Sequence, residues 1–181
     1  PICYSTTASI NAVTQDANTY TWTGPNNFSS TGANLVINNF TNLNDGLYTI
    51  TSASTACGVA TKSIELKSER VFANFTSTQT GCIQDSVYFN TPSITGAKWN
   101  WNFSDGKLLD TTSSNIKPIK YSSVGIYPVT LKVTSKNGCA SDVVSKNIEI
   151  TPKPIATFTA TTNTCVNINI NFTETSSITN G

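Results

Sequence analysis

The chain has 181 residues, with 11 Lys and Arg against 10 Asp and Glu, a net charge of +1 and no histidine. That balance gives no electrostatic basis for holding nucleic acid or an acidic membrane. Without histidine, neither a Ser-His-Asp nor a Cys-His catalytic set nor a histidine metal site can be built. Charged residues make up 12% of the chain, against about 25% in an average globular domain. Thr, Ser and Asn supply the polarity instead, a composition typical of extracellular β-proteins. No run of 18 apolar residues occurs, so no segment is expected to span a bilayer as a helix.

In chain order, the first turn signals are Gly24-Pro25-Asn26-Asn27 and Asn44-Asp45-Gly46. Val87 and Phe89 then alternate with polar neighbours, as do Trp99, Trp101 and Phe103. Ser104-Asp105-Gly106 interrupts the pattern, which returns with Val129, Leu131 and Val133 and stops at Asn137-Gly138. Alternation with period two predicts half-buried strands. Many short strands with regular turns predict a β-sandwich.

The sequence also repeats. Phe75-Thr76 precedes Cys82 by the same seven residues that separate Phe158-Thr159 from Cys165, a period of 83. Phe89 and Phe172 follow their cysteines at that same spacing. A weaker copy lies upstream: Trp22 follows Cys3 by 19 residues, as Trp101 follows Cys82, and Gly46-Leu47-Tyr48 matches Gly125-Ile126-Tyr127. A period this long means whole domains in tandem rather than solenoid turns. The expected units are 1–66, lacking its first strand, 67–151, and 152–181 as the start of a third repeat, so the chain reads as a segment of a longer array. The boundaries expected at Lys67–Arg70 and Thr151–Pro154 are short, and Pro152 and Pro154 stiffen the second. Consecutive domains are therefore expected end to end.

Trp99-Asn100-Trp101-Asn102-Phe103-Ser104-Asp105-Gly106, followed by Gly125-Ile126-Tyr127-Pro128-Val129-Thr130-Leu131-Lys132-Val133, resembles the PKD domain. That family's pattern runs aromatic-x-Trp-Asp-Phe-Gly-Asp-Gly and then Gly-x-Tyr-x-Val-x-Leu-x-Val. This sequence departs from it at Asn102 and Ser104. The resemblance implies an immunoglobulin-like β-sandwich. The first copy, through Thr21-Trp22-Thr23-Gly24-Pro25 and Asn44-Asp45-Gly46-Leu47-Tyr48, resembles a bacterial immunoglobulin-like domain. The fold class implied is all-β: tandem immunoglobulin-like sandwiches, one Ig-like and one PKD. Trp22, Trp101, Phe103, Tyr48 and Tyr127 are the expected structural core, with the two tyrosines at tyrosine-corner positions. Arrays of this kind resemble large cell-surface proteins of Bacteroidetes, including gliding-motility adhesins exported by the type IX system.

Five cysteines in a secreted-type array argue for disulfides. One bridge inside each repeat would be Cys3–Cys57 and Cys82–Cys139. The sandwich topology that the resemblance implies favours Cys3–Cys139 instead, because Cys82 would lie at the far end of its domain from the Asn137-Gly138 hairpin. Cys82, Cys57 and Cys165 would then pair with neighbouring repeats. Both schemes remain open from sequence.

Other sites weigh less. Ten acids over more than two domains leave little room for a catalytic carboxylate pair. Asn42, Asn44 and Asp45, or Asp105 and Asp110, could offer oxygens to calcium, but turn formation accounts for the first group without metal. The three tryptophans could stack on sugars if exposed. The bacterial resemblance implies O-glycosylation after aspartate, which Asp110-Thr111-Thr112 and Asp85-Ser86-Val87 fit, making Thr111 (in a polar loop) and Ser86 (at a strand start) candidates. No cofactor, metal or catalytic residue is expected. The expected function is a non-catalytic stalk or spacer in a secreted surface adhesin or its filament, partnered by neighbouring repeats and by surface polysaccharide or surface proteins. The alternative is a carbohydrate-binding accessory array of a polysaccharide-degrading enzyme. Exposure of the Trp rings separates the two.

Overall fold

The computed structural model describes residues 1–13, 17, 19–56, 58–161, 166 and 169–178. The chain is all-β and divides into two compact units. The first comprises Pro1–Phe72 with Thr95–Lys98 and Val133–Asp142; the second comprises Ala73–Ile94, Trp99–Lys132 and Val143–Gly181. The Asn137-Gly138 hairpin, expected in the second repeat, therefore belongs to the first unit.

The first unit contains β1 (Ile2–Cys3), β2 (Thr6–Asn11), β3 (Thr19–Thr23), β4 (Ser29–Thr31), β5 (Asn34–Phe40), β6 (Gly46–Ser54), β7 (Gly58–Leu66) and β8 (Ser68–Glu69). β2 pairs antiparallel with β5, and β4-β3-β6-β7 form a second sheet. Because side chains alternate across a strand, each sheet turns one apolar set inward. Ala8, Leu35, Ile37 and Phe40 from one meet Trp22, Tyr48, Ile50 and Leu66 from the other. Burying each large side chain contributes about 1.5–3 kcal/mol. The Lys67–Arg70 stretch, expected to be a linker, carries strand β8. It pairs parallel with β1, in the register Ile2 to Ser68 and Cys3 to Glu69. The Asp45 carboxylate fixes β8 there, accepting from the Ser68 amide at 2.6 Å and its hydroxyl at 3.2 Å.

The remaining strands are β9 (Thr76–Ser77), β10 (Thr80–Cys82), β11 (Phe89–Asn90), β12 (Lys98–Asn102), β13 (Leu108–Thr111), β14 (Gly125–Thr134) and β15 (Val144–Thr151), then β16 (Pro154–Ile155), β17 (Phe158–Ala160), β18 (Phe172–Glu174) and β19 (Ser177–Ile178). A five-stranded sheet runs β10-β15-β14-β12-β13. Phe75 and Phe89, at the β9–β11 pair, pack on its inner face: Phe75 lies 5.1 Å from the Trp101 ring, and Phe89 lies 5.3 Å from Phe103. Val129, Leu131, Ile148 and Ile150 complete this core. Within 152–181, expected to begin a third repeat, β17 pairs with β18 and β16 with β19. Phe158 and Phe172, the counterparts of Phe75 and Phe89, lie 5.8 Å apart and are each 68% exposed.

One expected core residue stands elsewhere. Tyr127 is half-buried, because at the start of β14 its hydroxyl turns back to donate to the Ser123 carbonyl. Tyr121, its ring centroid 4.2 Å away, is the fully buried tyrosine. Tyr48 is buried and makes the corresponding bond to the Asn44 carbonyl at 2.8 Å. Among the described residues, no helix is long and apolar enough to cross a membrane.

Candidate functional site

The feature built with most care lies around Cys3 and Cys139. Cys3 sits on β1, held by backbone bonds on either side: the Ile2 amide donates to the Lys67 carbonyl at 2.7 Å, and the Tyr4 amide to the Glu69 carbonyl at 2.9 Å. Cys139 sits in a tight turn. The Ser135 amide donates to the Cys139 carbonyl at 2.8 Å and the Gly138 amide to the Ser135 carbonyl at 3.0 Å. Gly138 takes φ +86°, the left-handed region where glycine carries no steric penalty. The Ser135 hydroxyl accepts from the amides of both Asn137 and Cys139 at 3.3 Å. The Ser141 hydroxyl accepts from the Val133 amide at 3.0 Å. Both serines are buried, and these bonds satisfy them, as burial of polar groups demands.

The two cysteines form a disulfide across 136 residues, with Cα atoms 5.1 Å apart, inside the usual range for a bridge. It joins β1 to the Asn137-Gly138 turn. Since a cysteine enters one disulfide, the Cys3–Cys57 and Cys82–Cys139 pairs do not form in this arrangement. Around the bond, the Asn137 amide donates to the Glu69 carboxylate at 2.9 Å. The Arg70 guanidinium lies between two rings, 4.6 Å from that of Tyr4 and 4.7 Å from that of Phe72, a cation–π arrangement. A cleft of about 450 Å³ opens here, lined by Cys3, Tyr4, Glu69, Arg70, Cys139 and Asp142 among others. Sequence reading missed Glu69, Arg70 and Ser135. The Asn-Gly turn was visible, but the residues it would meet lie far away in sequence.

Among the described residues, Cys82 is a free, half-buried thiol, with the Thr151 hydroxyl 4.0 Å from its sulfur. Cys57 and Cys165 lie outside the described residues. Trp22, Trp99 and Trp101 are each only 2% exposed, so none of their rings offers a platform to a sugar. The Trp22 indole donates to the Gly32 carbonyl at 3.2 Å.

Of the five residues considered for calcium, Asn44, Asp45, Asp105 and Asp110 are engaged within the protein. Asn44 accepts from the Thr41 amide at 2.9 Å, Asp45 holds Ser68, and Asp110 accepts from the Asn100 amide at 2.6 Å. Asp105 accepts from the Lys107 amide at 3.1 Å and pairs with its ammonium. Among the described residues, no three of His, Cys, Asp and Glu gather where a metal ion could be held. Thr111 closes strand β13 and is half-buried, rather than standing in a loop; its hydroxyl accepts from the Ser113 amide at 3.0 Å. Ser86, also half-buried, precedes the isolated bridge at Val87.

Residues 72–150 match the PKD domain family. Among solved structures, the chain is similar to murine CEACAM1b, at 17% identity over 82% of this chain and 94% of that one, with a TM-score of 0.39. A second similar structure holds the three N-terminal domains of the bacteriophage RB49 highly immunogenic outer capsid protein, at 20% identity over 99% of this chain and 67% of that one, with a TM-score of 0.43. A mouse coronavirus receptor-binding domain complexed with its murine receptor gives 16% identity over 81% of this chain and 94% of that one, with a TM-score of 0.41. No curated protein matches the chain. Within this all-β chain, residues 72–150 are thus similar to the PKD domain.

Proposed function

We propose that this chain is a non-catalytic spacer segment of a secreted, multi-domain cell-surface adhesin, in which disulfides tie one repeat to the next. The observation that carries this reading is the Cys3–Cys139 bond, which links repeat one to the hairpin of repeat two. A bond so placed suits a segment that bears tension and an oxidising, extracellular compartment. The sparse charge and the hydroxyl- and amide-rich composition agree with that location. The buried tryptophans speak against the carbohydrate-binding alternative. The repeats are assigned to residues 1–66, 67–151 and 152–181, and the partners to neighbouring repeats and to other surface proteins. The parent protein is assigned to the Bacteroidetes gliding-motility type.

Force spectroscopy with the chain held at its two ends tests this. The disulfide shields its 136-residue loop from tension, so reduction should add roughly 450 Å of extension at about 3.3–3.6 Å per residue. An unchanged extension would remove the clamp from the load path. Saturable binding on a glycan array would favour the carbohydrate-binding reading instead.

A further inference from the structure

The corner that carries Cys3 is built a second time around Cys82. Cys3 pairs in parallel with Glu69 on β8, and Cys82 pairs in parallel with Thr151 on β15. The next residue then makes the same bond in each copy: the Tyr4 amide donates to the Glu69 carbonyl, and the Ile83 amide to the Thr151 carbonyl, both at 2.9 Å. One residue further on, the backbone turns into the left-handed region in both, at Ser5 (φ +62°) and Gln84 (φ +65°). The Ser5 amide then donates to the Phe40 carbonyl at 2.8 Å, and the Gln84 amide to that of Tyr121 at 2.9 Å, each from a fully buried aromatic residue. Non-glycine residues at positive φ are uncommon, so their recurrence two residues after each cysteine marks a duplicated piece of architecture.

The two corners differ in occupancy. At the first, the Gly138–Cys139 turn completes the cleft and closes the disulfide. At the second, Cys82 is free among the described residues, and a cleft of about 520 Å³ is lined by the next residue, Ile83, with Ser122, Val124, Pro152, Lys153 and Ile155 among others. Ile83 takes the place of Tyr4 there, and Pro152 and Lys153 take those of Arg70 and Val71. Lys153 pairs with Asp85 at the rim.

We propose that Cys82 and this cleft are the receiving half of a second inter-repeat clamp, whose occupant is an Asn-Gly-Cys hairpin of the kind formed by Lys136–Cys139. This extends the spacer reading from one clamped joint to a repeating one. Bond formation follows thiol–disulfide exchange. The Cys82 and hairpin thiols give up two protons and two electrons to a disulfide oxidant such as oxidised glutathione, which leaves as two thiols, and one S–S bond forms between the cysteines.

The test uses the full chain carrying Cys3→Ser, Cys57→Ser and Cys165→Ser, so that only Cys82 and Cys139 remain. In a glutathione redox buffer, inter-chain Cys82–Cys139 peptides should form and produce a ladder on a non-reducing gel, which Cys82→Ser abolishes. Glutathione adducts alone, an intra-chain bond, or Cys82–Cys82 dimers would overturn the proposal. Should that variant fail to fold, the chain carrying only Cys57→Ser and Cys165→Ser is mixed with a synthetic 133–143 peptide bearing Cys139 as its glutathione mixed disulfide. Transfer to Cys82 should run at least about tenfold faster than with a scrambled peptide, through the effective concentration that docking supplies; equal rates would overturn it. Failure here leaves the Cys3–Cys139 clamp and the spacer reading standing, whereas glycan binding would sink the spacer reading and leave this rate unchanged.

Discussion

The Asn137 side-chain amide meets the Glu69 carboxylate at 2.9 Å across 68 positions of sequence, beside the bond between Cys3 and Cys139. The Asn137-Gly138 hairpin is thus held by a polar contact as well as a covalent one. The polar contact is exposed and worth little by itself. The disulfide supplies the constraint.

Loss of that constraint is measurable. Cys3→Ser should lower the stability of the first unit by about 2–4 kcal/mol, as for a bridge closing a long loop. Urea denaturation followed by Trp22 fluorescence reads this. The unsubstituted chain under reducing agent should coincide with the variant, and equal stability with and without reductant would remove the bond's structural role.

The Trp101 ring is packed by Phe75 at 5.1 Å and by Phe89 and Phe103 at 5.7 Å each. Trp101→Ala should cost about 3–5 kcal/mol through lost burial and the cavity left behind. The Trp101 indole nitrogen, buried without a hydrogen-bond partner among the described residues, gives no polar bond to lose. Trp101→Phe should therefore cost well under half as much. Thermal melts of the two variants decide this, and an alanine variant that melts with the parent would take Trp101 out of the core.

Much of the fold was legible because its signals are local. Alternation over Trp99, Trp101 and Phe103 identified a buried face, and Asn137-Gly138 identified a turn. The same rule misplaced Tyr127, since strand periodicity gives the side of a sheet and not whether a residue lies over its centre or end. Tyr121 stands outside any strand, so no period could find it. The site was less legible. Glu69, Arg70 and Ser135 act through partners that only the folded chain brings near. The parallel pairing of Cys3 with Glu69, and of Cys82 with Thr151, leaves no mark in either local sequence.

Tyr121 should make the protein sensitive to alkali. Its hydroxyl is buried without a hydrogen-bond partner among the described residues. Burial first, then the Asp105 charge and Tyr127, hold its pKa far above the ordinary 10.0; burial and Asp45 raise that of Tyr48 as well. A folded pKa above the unfolded one means that the unfolded state releases its proton first. Stability is then full below about pH 10 and falls as pH rises from there through the raised folded values. Tyr121→Phe should be neutral or stabilising at pH 7, because it removes an unsatisfied buried hydroxyl. It should also flatten the decline between pH 10 and 12. A decline of unchanged slope in that variant would assign the alkaline loss to other groups.

The geometry of the clamp rests on Gly138. Its φ of +86° lies where an L side chain is strained, yet an added Cβ there would meet nothing within 4 Å. Gly138→Ala therefore tests conformation without steric interference. The left-handed region costs a residue with Cβ about 1–2 kcal/mol, which opposes the turn that places Cys139 against Cys3. The equilibrium constant for closing Cys3–Cys139 against glutathione should fall about 5- to 30-fold, taking 1.4 kcal/mol as a factor of ten. Gly138→Asn should fall less, since asparagine tolerates this region. At Gly96, also at positive φ, an added Cβ would meet the Lys136 Cβ at 3.1 Å, so Gly96→Ala adds crowding against the hairpin to strain. Equal closing constants for the Gly138 variants and the parent would mean that the turn is set by its partners and not by its own backbone.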